Sequence, residues 1–150
     1  MRGLVIMAIL TAGSTCLFAQ NAPIKMGLWE KTMESSNGDG APATIKSKSC
    51  ITPEAWQQMI ASLQKPHDGC TNNTVKTGNG YSFNGTCTMQ GGTLMTISGT
   101  ETIPNSEQIV AESHSSITKN GKTRKIDIHS TSRFLSSSCG SIKPDEPEVE

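Results

Sequence analysis

Glu112, His114, Asp127 and His129 are four side chains able to bind a metal ion. Glu112 and His114, like Asp127 and His129, alternate at the period of a strand, and the two pairs flank Asn120-Gly121. Asn-Gly between alternating segments is the strongest short-range signal for a two-residue type I′ hairpin. That loop sets His114 opposite Asp127 and Glu112 opposite His129, in non-hydrogen-bonded pairs where side chains lie close. Imidazole and carboxylate in one patch suit zinc or copper. Lys125 and Arg133 share the face and oppose a cation. The expectation is therefore a solvated face carrying two charge-compatible pairs, with no committed metal site. Metal binding by Glu112, His114, Asp127 and His129 is the alternative, and alanine at both histidines would abolish metal uptake only in that case.

Other chemistry fails on context. Ser62-Leu63-Gln64-Lys65 fits S-x-x-K and Lys76-Thr77-Gly78 fits K-T-G, the pattern of serine penicillin-recognising enzymes. The serine of that pattern opens a helix, whereas Ser62 closes one, and the S-D-N element is missing. There is no G-x-S-x-G, H-E-x-x-H or phosphate-binding loop. Met26, Met33, Met59, Met89 and Met95 are scattered, as core fillers are, rather than clustered for copper. Asn72-Asn73-Thr74 and Asn84-Gly85-Thr86 fit the glycosylation tripeptide, which is common by chance. The expected protein has no catalytic residues and no cofactor.

The compartment is the firmer reading. Met1-Arg2, the apolar run Leu4 to Leu10 and the small polar stretch before Ala19 form an export signal over residues 1–19, too short to span a bilayer. A lipid anchor on Cys16 would need a leucine-like residue upstream, and Gly13-Ser14-Thr15 has none. The whole chain holds 13 Lys+Arg and 13 Asp+Glu, and cleavage removes Arg2 and no acid, leaving 12 against 13. A net charge of −1 makes nucleic acid a poor partner. No transmembrane anchor remains, and the expected location is the bacterial periplasm or the exterior.

Four cysteines survive cleavage, Cys50, Cys70, Cys87 and Cys139, and in an oxidising compartment they read as two bridges. Thr71–Thr77 and Tyr81–Met89 are strand-like around Gly78-Asn79-Gly80. A Gly78-Asn79 loop sets Cys70 directly across from Cys87. The usual Asn79-Gly80 loop leaves them diagonal, and a three-residue loop splits them between faces. Cys70–Cys87 is expected on the first register, and Cys50–Cys139 follows by elimination.

These positions need elements to hold them. Thr52 can cap a helix that Pro53 opens, with Trp56, Met59, Ile60 and Leu63 on one stripe and an end near Lys65-Pro66. The rest alternates, predicting strands at 24–35, 43–50, 70–77, 81–89, 93–103, 107–118 and 123–135. The fold class is mainly β, an antiparallel curved meander or open barrel with one short helix packed on it. The Asn120-Gly121 hairpin places Ile109, Ala111, Ile117, Ile126, Ile128 and Phe134 on the core side. Residues 24–140 make one domain, and 141–150 are predicted to be a disordered acidic tail.

Met26-Gly27-Leu28-Trp29-Glu30, then Cys50-Ile51-Thr52-Pro53-Glu54 leading into a helix, then Cys70, Cys87 and Cys139-Gly140, resemble the small exported bacterial family Domain of Unknown Function 3617 over roughly residues 24 to 140. That family closes on an Arg-x-x-Gly-Asp/Glu-Cys-like run, and a serine run stands there instead. The resemblance implies an exported, disulfide-bearing, mostly β domain and carries no catalytic residues over. The functional expectation is a non-enzymatic envelope protein that binds a small apolar molecule or a partner protein in a concave mouth.

Overall fold

The computed structural model describes residues 23–37, 41–65, 68–144 and 146–149. The export signal expected at 1–19 lies outside them. Eight strands form one antiparallel sheet: β1 (Gly27–Ser36), β2 (Ala43–Ile51), β3 (Cys70–Thr77), β4 (Gly80–Met89), β5 (Thr93–Asn105), β6 (Gln108–Lys119), β7 (Lys122–Ser136) and β8 (Glu148–Val149). Their order across the sheet is β3-β4-β5-β6-β7-β1-β2-β8. One helix, α1 (Pro53–Gln64), joins β2 to β3.

The hairpins run as a meander, and turn chemistry sets their registers. Asn120 and Gly121 both take positive φ, 51° and 75°, as a type I′ turn requires. That turn aligns β6 with β7 from Lys119 opposite Lys122 to Gln108 opposite Arg133. β3 and β4 adopt the Gly78-Asn79 register, with Thr77 opposite Gly80 and Cys70 opposite Cys87. Disulfides join Cys70 to Cys87 and Cys50 to Cys139.

The helix begins as its sequence dictates. Thr52 Oγ1 accepts from the Ala55 N–H at 3.2 Å, and Pro53 follows at the first helical position. Its end is held by the sheet, where the Leu63 carbonyl accepts from Thr74 Oγ1 at 3.0 Å and from Asn72 Nδ2 at 3.1 Å. Trp56 from the helix joins Ile24, Trp29, Ile103 and Ile109 in the buried core, with Met26, Ile51, Met59, Ile60 and Phe134 packed against them. Trp29 sits deepest, and its Nε1 donates to the Lys25 carbonyl at 2.9 Å.

Two features differ from expectation. Of the residues predicted for the core side, Ile109 and Phe134 reach the core, whereas Ala111, Ile117, Ile126 and Ile128 stay half-buried. The physical reason is length: a twelve-residue helix spans about 18 Å and covers one end of a sheet whose longest strand has fifteen residues. In the tail, predicted to be disordered, Glu148–Val149 pair with Lys48 and Ser47 at the sheet edge.

Candidate functional site

Alternation along the strands sorts two faces. On the convex face, Glu112 lies opposite His129 and His114 opposite Asp127. His114 Nδ1 meets Asp127 Oδ1 at 2.6 Å, and His129 Nδ1 lies 3.5 Å from Glu112 Oε1. All four side chains are about half exposed or more, so these pairs are screened and each contributes about 0–1 kcal/mol. The hairpin thus brings the four together as two separate pairs. Among the described residues, no three His, Cys, Asp or Glu side chains are grouped to hold a metal ion.

The concave face is different. Beyond the helix, Met33 on β1, Phe83 on β4, Met95 and Ile97 on β5, Ile117 on β6, and Ile126 and Ile128 on β7 share it by register. All are half-buried, and none belongs to the core cluster. The Phe83 ring lies across Gly99 of the next strand, where an added Cβ would come within 2.6 Å of Phe83 Cζ and 2.2 Å of the Glu112 carbonyl oxygen. Gly99 therefore makes room for the Phe83 ring.

Glu101 interrupts this apolar surface. It occupies an inward position on β5, between Tyr81 on β4 and Ala111 on β6. Its Oε1 is buried and has no hydrogen-bond partner. Burial raises the carboxyl above its ordinary value of 4.5, and Lys31 pulls it partly back. β6 and β7 separate β5 from β1, about 14 Å along a flat sheet. Lys31 and Glu101 share this face, and their long side chains shorten that separation. Lys76 on β3, opposite Tyr81, Lys119 on β6, and Lys122 and Arg124 on β7 share this parity. Glu101 and Lys31 were not among the sequence candidates, although Glu101 has the same parity on β5 as Ile97 and Ile103.

A raised folded-state pKa means that the folded chain holds a proton the unfolded chain has released. Stability therefore falls as pH rises from about 4.5 through the folded value, and levels off above it. Glu101→Gln should remove this slope. In urea titrations the variant is expected to gain over the parent at about pH 7 and to lose the gain by about pH 4. Equal differences at both pH values would contradict the burial of this carboxyl.

Two depressions are present. One of about 340 Å³ is lined by residues of β3, β4 and β5, among them Asn73, Asn84, Thr96 and Ser98, and shares Ile97 with the concave face. The other, about 570 Å³, lies along α1 beside Thr52, Met59 and Pro144. Neither gathers charged groups suited to acid–base or nucleophilic work. Among the described residues, no helix is long and apolar enough to cross a membrane.

A curved antiparallel sheet with one helix across part of its concave face, closed by two disulfides, defines a small, stapled, mainly β domain. Residues 24–139 match the family described as Protein of unknown function (DUF3617), and the chain belongs to that family. Among solved structures, the S-type phycobiliprotein lyase CPES from Guillardia theta is similar, with 9% identity, coverage of 74% of this chain and 89% of that one, and a TM-score of 0.38. Comparison with curated proteins finds no match.

Proposed function

We propose that this chain is an exported, non-enzymatic envelope protein whose concave sheet face binds a small apolar molecule. The observation that carries the reading is the group of half-buried apolar side chains outside the core, Met33, Phe83, Met95, Ile97, Ile117, Ile126 and Ile128. A sheet face that only needed shielding from water would carry polar residues where the helix stops, as the convex face does. Export rests on the leader at residues 1–19, and two disulfides suit an oxidising compartment.

The test uses the disulfide-intact protein and the neutral fluorescent probe N-phenyl-1-naphthylamine. Saturable binding at a single site is expected. Ile128→Glu, which places a charge at the middle of the concavity, should weaken it by about tenfold or more while far-ultraviolet dichroism stays unchanged. Absence of saturable binding, or equal binding by the variant, would defeat the reading.

A further inference from the structure

The sheet is open at both sides, at β3 and at β2, where β8 is added. β2 pairs with β1 in unbroken register from Ile51 to Ala43, yet among the described residues only Ser47 and Lys48 of its nine have a strand partner on the outer side, in Val149 and Glu148. Unpaired N–H and C=O groups along an edge are a template for another strand. Alternation gives this template two different faces. Lys46 and Lys48 stand opposite Thr32 and Glu30 on the convex side, whereas Ile45 and Ser47 stand opposite Met33 and Lys31 on the concave side, and Ile45 is 41% exposed. β2 carries these two lysines and no acid. The tail has the complementary chemistry, with Asp145, Glu146, Glu148 and Glu150 and no base from residue 145 onward. Its register sets Glu148 opposite Lys48 on the charged side and Val149 opposite Ser47 on the side that Ile45 shares. We propose that the outer edge of β2 is a strand-acceptor site for an extended acidic segment of a partner protein, in which carboxylates alternate with apolar residues, and that the chain's own Glu148–Val149 holds the site until such a segment displaces it.

The resident strand is short, and that makes it displaceable. It pairs only with Ser47 and Lys48, and Val149 stays 66% exposed. A longer segment would also use Ala43, Thr44, Ile45 and Lys46, which β8 leaves uncovered, and main-chain pairing of this kind supplies affinity while alternate side chains supply specificity. The tail's advantage is its tether, because Cys139 is bonded to Cys50 on the same strand, so its local concentration at the edge is on the order of millimolar. Charge selects among the other occupants. A basic segment would meet Lys46 and Lys48 with like charge, and the β2 of a second copy would bring its own lysines to the same edge. The tail of a second copy offers the same residues as the resident one without the tether.

The probe is a fluorescein-labelled hexapeptide of alternating glutamate and valine with capped ends, titrated by anisotropy against the disulfide-intact full chain. Saturable binding is expected, with amide hydrogen exchange slowing along Ala43–Lys46. The same peptide with lysine in place of glutamate should bind about tenfold more weakly or worse, and one with every backbone amide N-methylated should not bind. Glu148→Lys puts like charge opposite Lys48 at an exposed position near the chain end, so it loosens the resident strand without touching the core, and should tighten binding of the acidic peptide by about threefold to tenfold. Lys46→Glu should weaken the acidic peptide and strengthen the basic one. Absence of saturable binding, equal binding of the acidic and basic peptides, or binding of the N-methylated one overturns the proposal. Slowed exchange in β3 in place of β2 overturns it by moving the acceptor to the other edge, and unchanged affinity in Glu148→Lys overturns the competing role of the tail. A dimer in sedimentation with β2 protected in the absence of peptide also overturns it, because the edge then belongs to a second copy of the chain.

Discussion

Trp29→Ala should cost this domain about 3–5 kcal/mol of stability, as large-to-small replacement of a buried aromatic does. Trp29 is 1% exposed and is the deepest large side chain among the described residues. It stands edge-on to Phe134, with ring centroids 5.8 Å apart and planes inclined at 72°. It also links three parts of the fold. Its Nε1 ties the Lys25 carbonyl, Lys25 N–H donates to the Ser106 carbonyl at the β5–β6 turn, and the Phe134 N–H donates to the Glu107 carbonyl in the same turn. Removing the indole opens a cavity and also leaves the Lys25 carbonyl without that donor. Domains of this size hold about 5–15 kcal/mol in total, so a large share disappears. Calorimetry should show the midpoint falling by roughly 10–20 °C. Trp29→Phe keeps most of the volume and should lose distinctly less. A fall in midpoint within about 2 °C for the alanine variant would mean that the core is not organised around Trp29.

How legible the fold was in the sequence depended on how many jobs each turn residue performs. Asn120-Gly121 has one job, to supply two positive φ values, and the β6–β7 register follows from it. Gly78-Asn79-Gly80 was ambiguous because its last glycine serves the sheet instead. A Cβ on Gly80 would fall 1.9 Å from the Glu101 carbonyl oxygen, so glycine is needed there for the close approach of β4 to β5. The Asn79-Gly80 dipeptide therefore resembles a turn it does not form. The helix was readable in full, since cap, Pro53 and apolar stripe all agree. Its reach was not, and this is why Ile117, Ile126 and Ile128 were assigned to a core that stops short of them. The concave site was legible only as an apolar parity. Period-two alternation says which side a residue faces but not whether anything covers it. The register of the histidine–carboxylate patch was legible in the hairpin turn, which sets His114 beside Asp127 and His129 beside Glu112.

Replacing Cys50 and Cys139 together by serine should be the most damaging change to the scaffold and should separate cleanly from loss of the other bridge. Cys50 and Cys139 are 89 residues apart in sequence, against 17 for Cys70 and Cys87. In the chain-entropy account, closing the long loop is worth about 4–5 kcal/mol and the short one about 3. Position widens the gap. Cys70 and Cys87 face each other on strands already paired along eight positions, so the hairpin survives without its bridge. Cys139 lies just beyond the end of β7, after the bulge that shifts the β1–β7 register between Leu28 and Trp29, and Cys50 lies on β2 on the far side of β1. Cys50 lies opposite Leu28, the residue before Trp29, and is itself buried. The double variant at Cys50 and Cys139 is therefore expected to unfold at a markedly lower urea midpoint than the one at Cys70 and Cys87. It should also lose protection from hydrogen exchange first in β1 and at the end of β7. The Cys70/Cys87 variant should lose protection chiefly in β3, an edge strand held by β4 and by the helix end. Equal midpoints, or loss beginning in β3 for both, would show that the long bridge fastens an end of the chain without bracing the core.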